Sequence, residues 1–307
     1  MSFDKYFEVL HVDARLHLRT AAQYLHDCVS YYGSTEHERP EGKVLRYNLF
    51  DCPWDDGRQA VVGQEGAQDA LMRQLTNYVR DGRVTQLMLL HGPNGSAKTS
   101  FIQCISRALE HYSTLDEGAI YRFNWVFPTH TVAKKRLGFS GDGASRPPSY
   151  ADLDEEEVDA RVPGDLRDHP ILLVPLKRRR TLLKDLRERK LLPPDHTLGE
   201  YLADGDLSPR SRSIADALLN AYHGDFHRML QHVQVERFFL SRRYRTGLVT
   251  VEPQMHVDAT IRQVTMDKGL QSLPPSLRHL NLFEPHGDLV DANRGLIEYN
   301  DLLKKPV

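Results

Sequence analysis

The segment LMLLHGPNGSAKTSFIQCIS, residues 87–106, constrains the fold more than any other stretch of the chain. Leu87, Met88, Leu89 and Leu90 form a continuous apolar run, the composition of a short strand buried on both faces. A turn with Gly92, Pro93 and Gly95 follows. From Lys98 onward, Phe101, Ile102, Ile105, Ala108, Leu109 and Tyr112 recur at helical spacing. In a strand–turn–helix unit of this kind, successive backbone N–H groups and the positive end of the helix surround an anion. The pattern departs from G-x-x-x-x-G-K-[ST] at one place, where Ala97 replaces the second glycine. Its methyl group fits there if the local φ is negative.

The candidate nucleotide-binding residues are therefore Gly92, Pro93, Asn94, Gly95, Ser96, Ala97, Lys98, Thr99 and Ser100. Lys98 brings a point charge to the terminal phosphates of ATP, and the Thr99 hydroxyl is a ligand for Mg²⁺. An ordinary Gly/Asn turn before a helix is the competing reading, and the flanking strand and helix favour the phosphate loop. Hydrolysis also needs an acidic group at the end of a second strand. GDLVDANRGLIEYNDLLKKP, residues 287–306, offers Glu298, Asn300 and Asp301 at the far end of a strand begun by Leu296 and Ile297. Glu298 and Asp301 are the candidate catalytic acids and, with Thr99, the candidate metal ligands. Side chains alternate along a strand, so Glu298 and Asn300 share a side.

Around this unit the chain divides into four parts. Residues 1–57 read as an N-terminal helical segment and a linker. The helix carries Leu18, Ala21, Ala22, Leu25 and Val29 and is closed by Gly33. Residues 58–128 hold the first part of the core: a helix through Ala67, Leu71, Leu75 and Tyr78 ending at Gly82, then the loop unit, then the strand IYRFNWVFP. Residues 129–281 read as a mostly helical insertion. It contains the turn GFSGDGASRPPS, an acidic run at 152–159, a basic run at 177–190, and helical stretches around IADALLNAY and FHRMLQHVQVERFFLSRRYR. Residues 282–307 carry the acidic strand. Strand, loop, helix, strand is the opening of a doubly wound α/β sheet.

Forty basic residues against forty-two acidic ones leave a net charge of -2, which gives no overall electrostatic footprint for nucleic acid. The local basic run reads as a solvated helix face or as a partner for the acidic run. Cys28, Cys52 and Cys104 have neither metal spacing nor an even count and suit a reducing compartment. The N-terminus lacks the apolar core of a secretion signal, and no window approaches the roughly 20 apolar residues of a membrane helix. The expectation is a soluble, cytoplasmic protein. His223, His227 and His232 lack the spacing of a zinc site and read as structural or surface residues.

AVVGQEGAQDALMRQLTNYVRDG, LMLLHGPNGSAKTS, DHPILLVPL, VERFFLSRRYR and DANRGLIEYNDLLKKP occur in that order. In this series the chain resembles the PrkA family, bacterial proteins with an AAA+ ATPase-like N-terminal module described as serine protein kinases. The resemblance implies a P-loop NTPase fold of AAA+ type: a parallel sheet core with an N-terminal helical segment and a large, mostly helical insertion. It also implies Mg-ATP as cofactor, a homo-oligomer when complete, and a protein substrate. The ANRG turn resembles that of magnesium-chelatase-like AAA+ proteins, in which Asp-Glu follows four residues later; Asn300 and Asp301 stand there in this chain. Sensor, arginine finger and lid, which the resemblance places after the acidic strand, fall beyond Val307.

Protein phosphorylation is the activity the family description implies, yet the sequence has no His-Arg-Asp loop, no Asp-Phe-Gly and no G-x-G-x-x-G. Asp225-Phe226 sits in a helical pattern and reads as core. Two alternatives remain open: an AAA+ ATPase without kinase activity, and a non-hydrolysing regulatory protein that assembles on ATP, which Asn300 favours.

Overall fold

The computed structural model describes residues 1–40, 42–129, 132, 149–194, 196–253, 260–263 and 283–302. Most of the turn at 138–149 and the residues after Leu302 lie outside these.

The strand expected from IYRFNWVFP forms as β3 (Ile120–Pro128), after β1 (Ser34–Arg39) and β2 (Gly42–Tyr47). Phe123, Trp125, Val126 and Phe127 are all fully buried, so both faces of β3 are covered. It lies in the middle of an antiparallel sheet, flanked by β4 (Val158–Pro163) and β5 (Val233–Phe238). The N-terminal helix α1 (Phe3–Val12) places Phe3 and Tyr6 in the core of this sheet.

A second core gathers three helices. The short helix α2 (Ala14–His17) leads into α3 (Ala21–Tyr32), which starts at a capping box: Thr20 Oγ1 accepts from Gln23 N, and Gln23 Oε1 accepts from Thr20 N. Gly33 ends α3 at φ 75°, and Gly82 ends α4 (Glu65–Asp81) at φ 69°. The third helix, α5 (Lys98–Thr114), contributes Phe101, Cys104, Ile105 and Ala108 to this core; Phe101 stacks on Phe50 at 4.5 Å. All three cysteines are buried.

Three expectations need correction. The stretch taken as a linker contains the β1–β2 hairpin, paired from Ser34–Tyr47 to Arg39–Gly42. Its polar composition hid it, since a two-stranded ribbon at the surface buries little. The helical reading through VQVERF is wrong as well. After α6 (Leu176–Glu188), α7 (Glu200–Asp204), α8 (Pro209–Ala221) and α9 (Phe226–Gln231), the chain enters β5, in which Val233, Val235 and Phe238 are buried. The insertion therefore mixes helix with strand and supplies both neighbours of β3. The basic run forms α6 with a largely solvated face, one of the two readings its composition allows, on which Arg180 pairs with Asp204 and Lys184 with Glu188.

The third correction concerns Leu87–Leu90, which form no strand. They are 63, 37, 65 and 36% exposed, because no ladder among the described residues reaches them. One parallel pair is present among the described residues, β6 (Leu248–Val251) with β9 (Leu296–Tyr299). Between these in sequence lie β7 (Thr260–Gln263), β8 (Phe283–His286) and the helix α10 (Asp288–Asp291). No helix among the described residues is long and apolar enough to cross a membrane.

Candidate nucleotide-binding site

The loop before α5 is shaped by two backbone requirements. A Cβ on Gly92 would meet Ser96 Oγ at 2.9 Å, so this position admits no side chain while the serine closes the turn by donating to Pro93 O at 2.8 Å. Gly95 sits at φ 82°, where glycine is unstrained. Ala97 sits at φ 59°, ψ 21°, in the left-handed region. The negative φ expected for it is not adopted, and a methyl group stands where the common motif has glycine for a steric reason.

This conformation leaves the start of α5 without a cap. Among the described residues no side chain accepts from its first-turn amides, and no acidic residue lies in that turn. The first hydrogen bond into the helix is Phe101 N to Ala97 O, 2.8 Å, so the amides of Lys98, Thr99 and Ser100 have no intrahelical acceptor. The Lys98 ammonium folds back over the loop and donates to Gly92 O at 2.8 Å, Pro93 O at 2.7 Å and Ser96 Oγ at 3.3 Å. Its positive charge is thus held by two carbonyls and a hydroxyl of the loop, acceptors that a phosphate can replace. Thr99 is exposed, and its hydroxyl makes no hydrogen bond among the described residues, so it is available to a cation such as Mg²⁺. His91, Pro93, Asn94 and Ser100 are also exposed.

The acidic strand behaves as its alternation implies. In the β6–β9 register Thr250 faces Glu298, and Thr250 Oγ1 donates to Glu298 Oε2 at 2.9 Å. Two residues on, Asn300 Nδ2 donates to Glu252 Oε2 at 3.1 Å. Glu298 and Asn300 therefore share a side, and they gain a second carboxylate, Glu252, which no motif or spacing singles out. Its signal was only its place just after the apolar run of β6, a run whose pairing is not local. Burial raises the Glu298 pKa, Thr250 and Arg242 oppose the rise, and Glu252 adds to it. Asp301 lies beyond the strand at φ 44° and is exposed.

Leu296 of β9 packs on the same core as Phe101 of α5, so the loop helix and the acidic strand share an anchor. No hydrogen bond or ion pair joins Lys98 or Thr99 to Glu298 among the described residues. No group of three or more His, Cys, Asp or Glu that could hold a metal occurs among them either. Mg²⁺ commonly takes one or two carboxylates plus substrate phosphates, and Thr99 with Glu298 matches such a donor set in kind.

The ANRG turn preceding β9 is a lock. Ala292 is buried, and Asn293 Nδ2 donates to Leu166 O at 2.6 Å. The Arg167 guanidinium donates to the carbonyls of Val290, Asp291 and Asn293 at 3.1–3.3 Å. Arg294 answers by donating to Arg167 O, 3.0 Å, and to Tyr121 O. A Cβ on Gly295 would meet Gly247 O at 1.8 Å, so the backbone of β9 approaches that of β6 only with glycine here.

Other residues singled out by sequence have structural work. Asp225 is the N-cap of α9, accepting from His227 N and Arg228 N, and is not a core residue. His232 is buried between Val126 O (2.8 Å) and Tyr222 Oη (2.7 Å), and burial lowers its pKa to about 4. Arg179 of the basic helix is buried and donates to the carbonyls of Leu172, Val174, Leu202 and Gly205.

Comparison with curated proteins finds a distant likeness to the ATP-dependent protease PrkA of Bacillus subtilis (strain 168). The two are 22% identical over 279 residues, covering 83% of this chain and 34% of the relative. The chain thus spans about a third of that relative's length. A PrkA-like relationship is as far as this identity reaches. The relative is named for proteolysis, where the resemblance implied a kinase. No family model matches the chain, and no solved structure matches it.

Proposed function

We propose that this chain is an ATP-binding unit of a PrkA-like protein, with a P-loop NTPase core of AAA+ type. The observation that carries the reading is the start of α5: a 17-residue helix with no side-chain cap and no first-turn acid, beginning at a lysine that among the described residues is held by loop oxygens alone. A polyphosphate satisfies the open amides, takes over the bonds of the Lys98 ammonium and meets the positive end of the helix dipole. Thr99 and Glu298 are the proposed Mg²⁺ donors, Asp301 is a further candidate, and the β6–β9 pair is the proposed start of the parallel sheet. The distant relative's name supports ATP use. It favours coupling to proteolysis by a longer protein over phosphorylation of a protein substrate, and hydrolysis is assigned to a fuller, homo-oligomeric assembly.

The experiment is Mg-ATP binding by thermal shift. A hydrogen bond from the Lys98 ammonium to a phosphate oxygen is charge-assisted and contributes about 1.5–3 kcal/mol. Lys98→Ala is therefore expected to weaken Mg-ATP by roughly 10–150-fold. Identical shifts for the two proteins, or none for either, would overturn the reading. The second reading, a regulatory protein that assembles on ATP without hydrolysing it, draws on the Asn300–Glu252 contact, which places an amide where the related motif has an acid. Release of inorganic phosphate from the assembled protein counts against it.

A further inference from the structure

A cavity of about 220 Å³ lies apart from the phosphate loop, between the α2–α3 junction, the start of β3, α7 and the ANRG turn. Its lining includes two arginines, Arg19 and Arg294, together with His17, Thr20, Tyr121 and Tyr201. Arg19 is fully committed: it donates to Leu16 O, Glu117 O and Tyr112 Oη, and its charge is met by Asp27 at 3.2 Å. Arg294 is different. Only its Nη1 finds protein acceptors, the carbonyls of Tyr121 and Arg167, and no carboxylate pairs with it among the described residues. Asp168, the carboxylate whose field it feels, is turned to Ser208 N at 3.0 Å.

Arg294 is half-buried and lines the cavity, and its guanidinium has no carboxylate partner among the described residues. Phe238 offers its ring face at 5.2 Å, which leaves Nε and Nη2 without an oxygen. A second group points the same way. His17 Nδ1 is buried with no hydrogen-bond partner among the described residues, and burial lowers the pKa of the ring to about 4. The neutral ring can carry its proton on Nδ1 and donate. The α3 N-terminus borders the same space through Thr20 and Ala21, and the N–H of Ala21, the first helical residue, has no intrahelical acceptor.

We propose that this cavity is a second anion site, for a small oxyanion bearing a phosphate or carboxylate group, held by Arg294 and His17. Its volume is below the roughly 300 Å³ at which sites for drug-sized ligands begin, so the occupant is small. Arg294 lies four residues before Glu298, so occupancy stiffens the turn that sets β9.

The test is isothermal titration with inorganic phosphate and, separately, succinate, with sodium chloride at matched ionic strength as control. The wild type is expected to bind at least one oxyanion saturably. In a Lys98→Ala background, which removes anion binding at the phosphate loop, saturable binding should persist and Arg294→Met should weaken it at least tenfold. Ala21→Phe, at an exposed lining position, narrows the cavity without touching the ANRG turn and should also weaken binding should Arg294→Met fail to fold. No saturable binding of either oxyanion overturns the proposal. So does binding that Lys98→Ala abolishes and Ala21→Phe spares.

Discussion

Replacing Ala97 by glycine tests the loop geometry through the sign of one number. Alanine in the left-handed region carries about 1–2 kcal/mol of steric strain. Glycine removes that strain, and the larger entropy of the unfolded chain takes back about 0.4–1 kcal/mol. At φ 59° the net expectation is stabilisation of about 0.5 kcal/mol. Were Ala97 at a negative φ, the same change would destabilise by about 0.5–1 kcal/mol, the usual cost of glycine for alanine in a helix. Urea unfolding followed by tryptophan fluorescence measures the difference. Trp54 stacks near His111 of α5 at 6.1 Å and reports on the helix that the loop begins. With a slope of about 2–3 kcal/mol per molar, the midpoint should rise by roughly 0.2 M at unchanged slope. Ala97→Val should lower it, because a β-branched residue is an outlier in this region. A midpoint that falls for Ala97→Gly refutes the left-handed geometry, and with it the explanation of the uncapped start of α5.

Leu89→Lys should change stability by no more than about 0.5 kcal/mol, the range for exposed sites, whereas a strand buried on both faces would not accept the charge; thermal unfolding of the variant decides. Glu298→Gln keeps an acceptor for Thr250 and removes the charge. The folded pKa of Glu298 is raised above 4.5, so the folded state binds the extra proton and wild-type stability falls as pH rises through the folded value. The glutamine variant should gain on the wild type from pH 4.5 upward, as read from paired melts. His232 runs the other way: its folded pKa of about 4 lies below the ordinary 6.5, so stability is lost as pH falls between these values. His232→Gln should flatten that part of the profile.

The contrast between what the sequence shows and what it hides follows from where each element finds its partners. α3, α4 and α5 were legible because a helix satisfies its own backbone and announces its buried face every three or four residues. Gly33 and Gly82 end two of them as expected. β3 was legible because aromatic residues alternate up to a proline. β5 and the exposed run at Leu87–Leu90 mislead a sequence reading because a strand is defined by a neighbour distant in sequence, whereas the hairpin, whose two strands are adjacent, is hidden by its polar composition. VQVERF follows a helical stretch without a break signal, and LMLL has the composition of a core strand whether or not anything pairs with it.

The site divides along the same line. Gly92, Gly95 and Lys98 act within seven residues, and the motif exposes them. The conformation of Ala97 and the approach of Glu252 to Asn300 depend on three-dimensional packing that no spacing rule encodes. The ANRG turn lies between these cases. Its order is a recognisable signature, yet each residue answers a separate distant contact: Leu166 for Asn293, Tyr121 and Arg167 for Arg294, Gly247 for Gly295. Three of the four, Ala292, Asn293 and Gly295, are consumed by holding β9 in place beside β6. Arg294 is the exception, because one nitrogen would suffice for the carbonyls it meets. A positive charge exceeding what the lock requires, beside a cavity and an unpartnered histidine nitrogen, is what a structural role alone leaves unexplained.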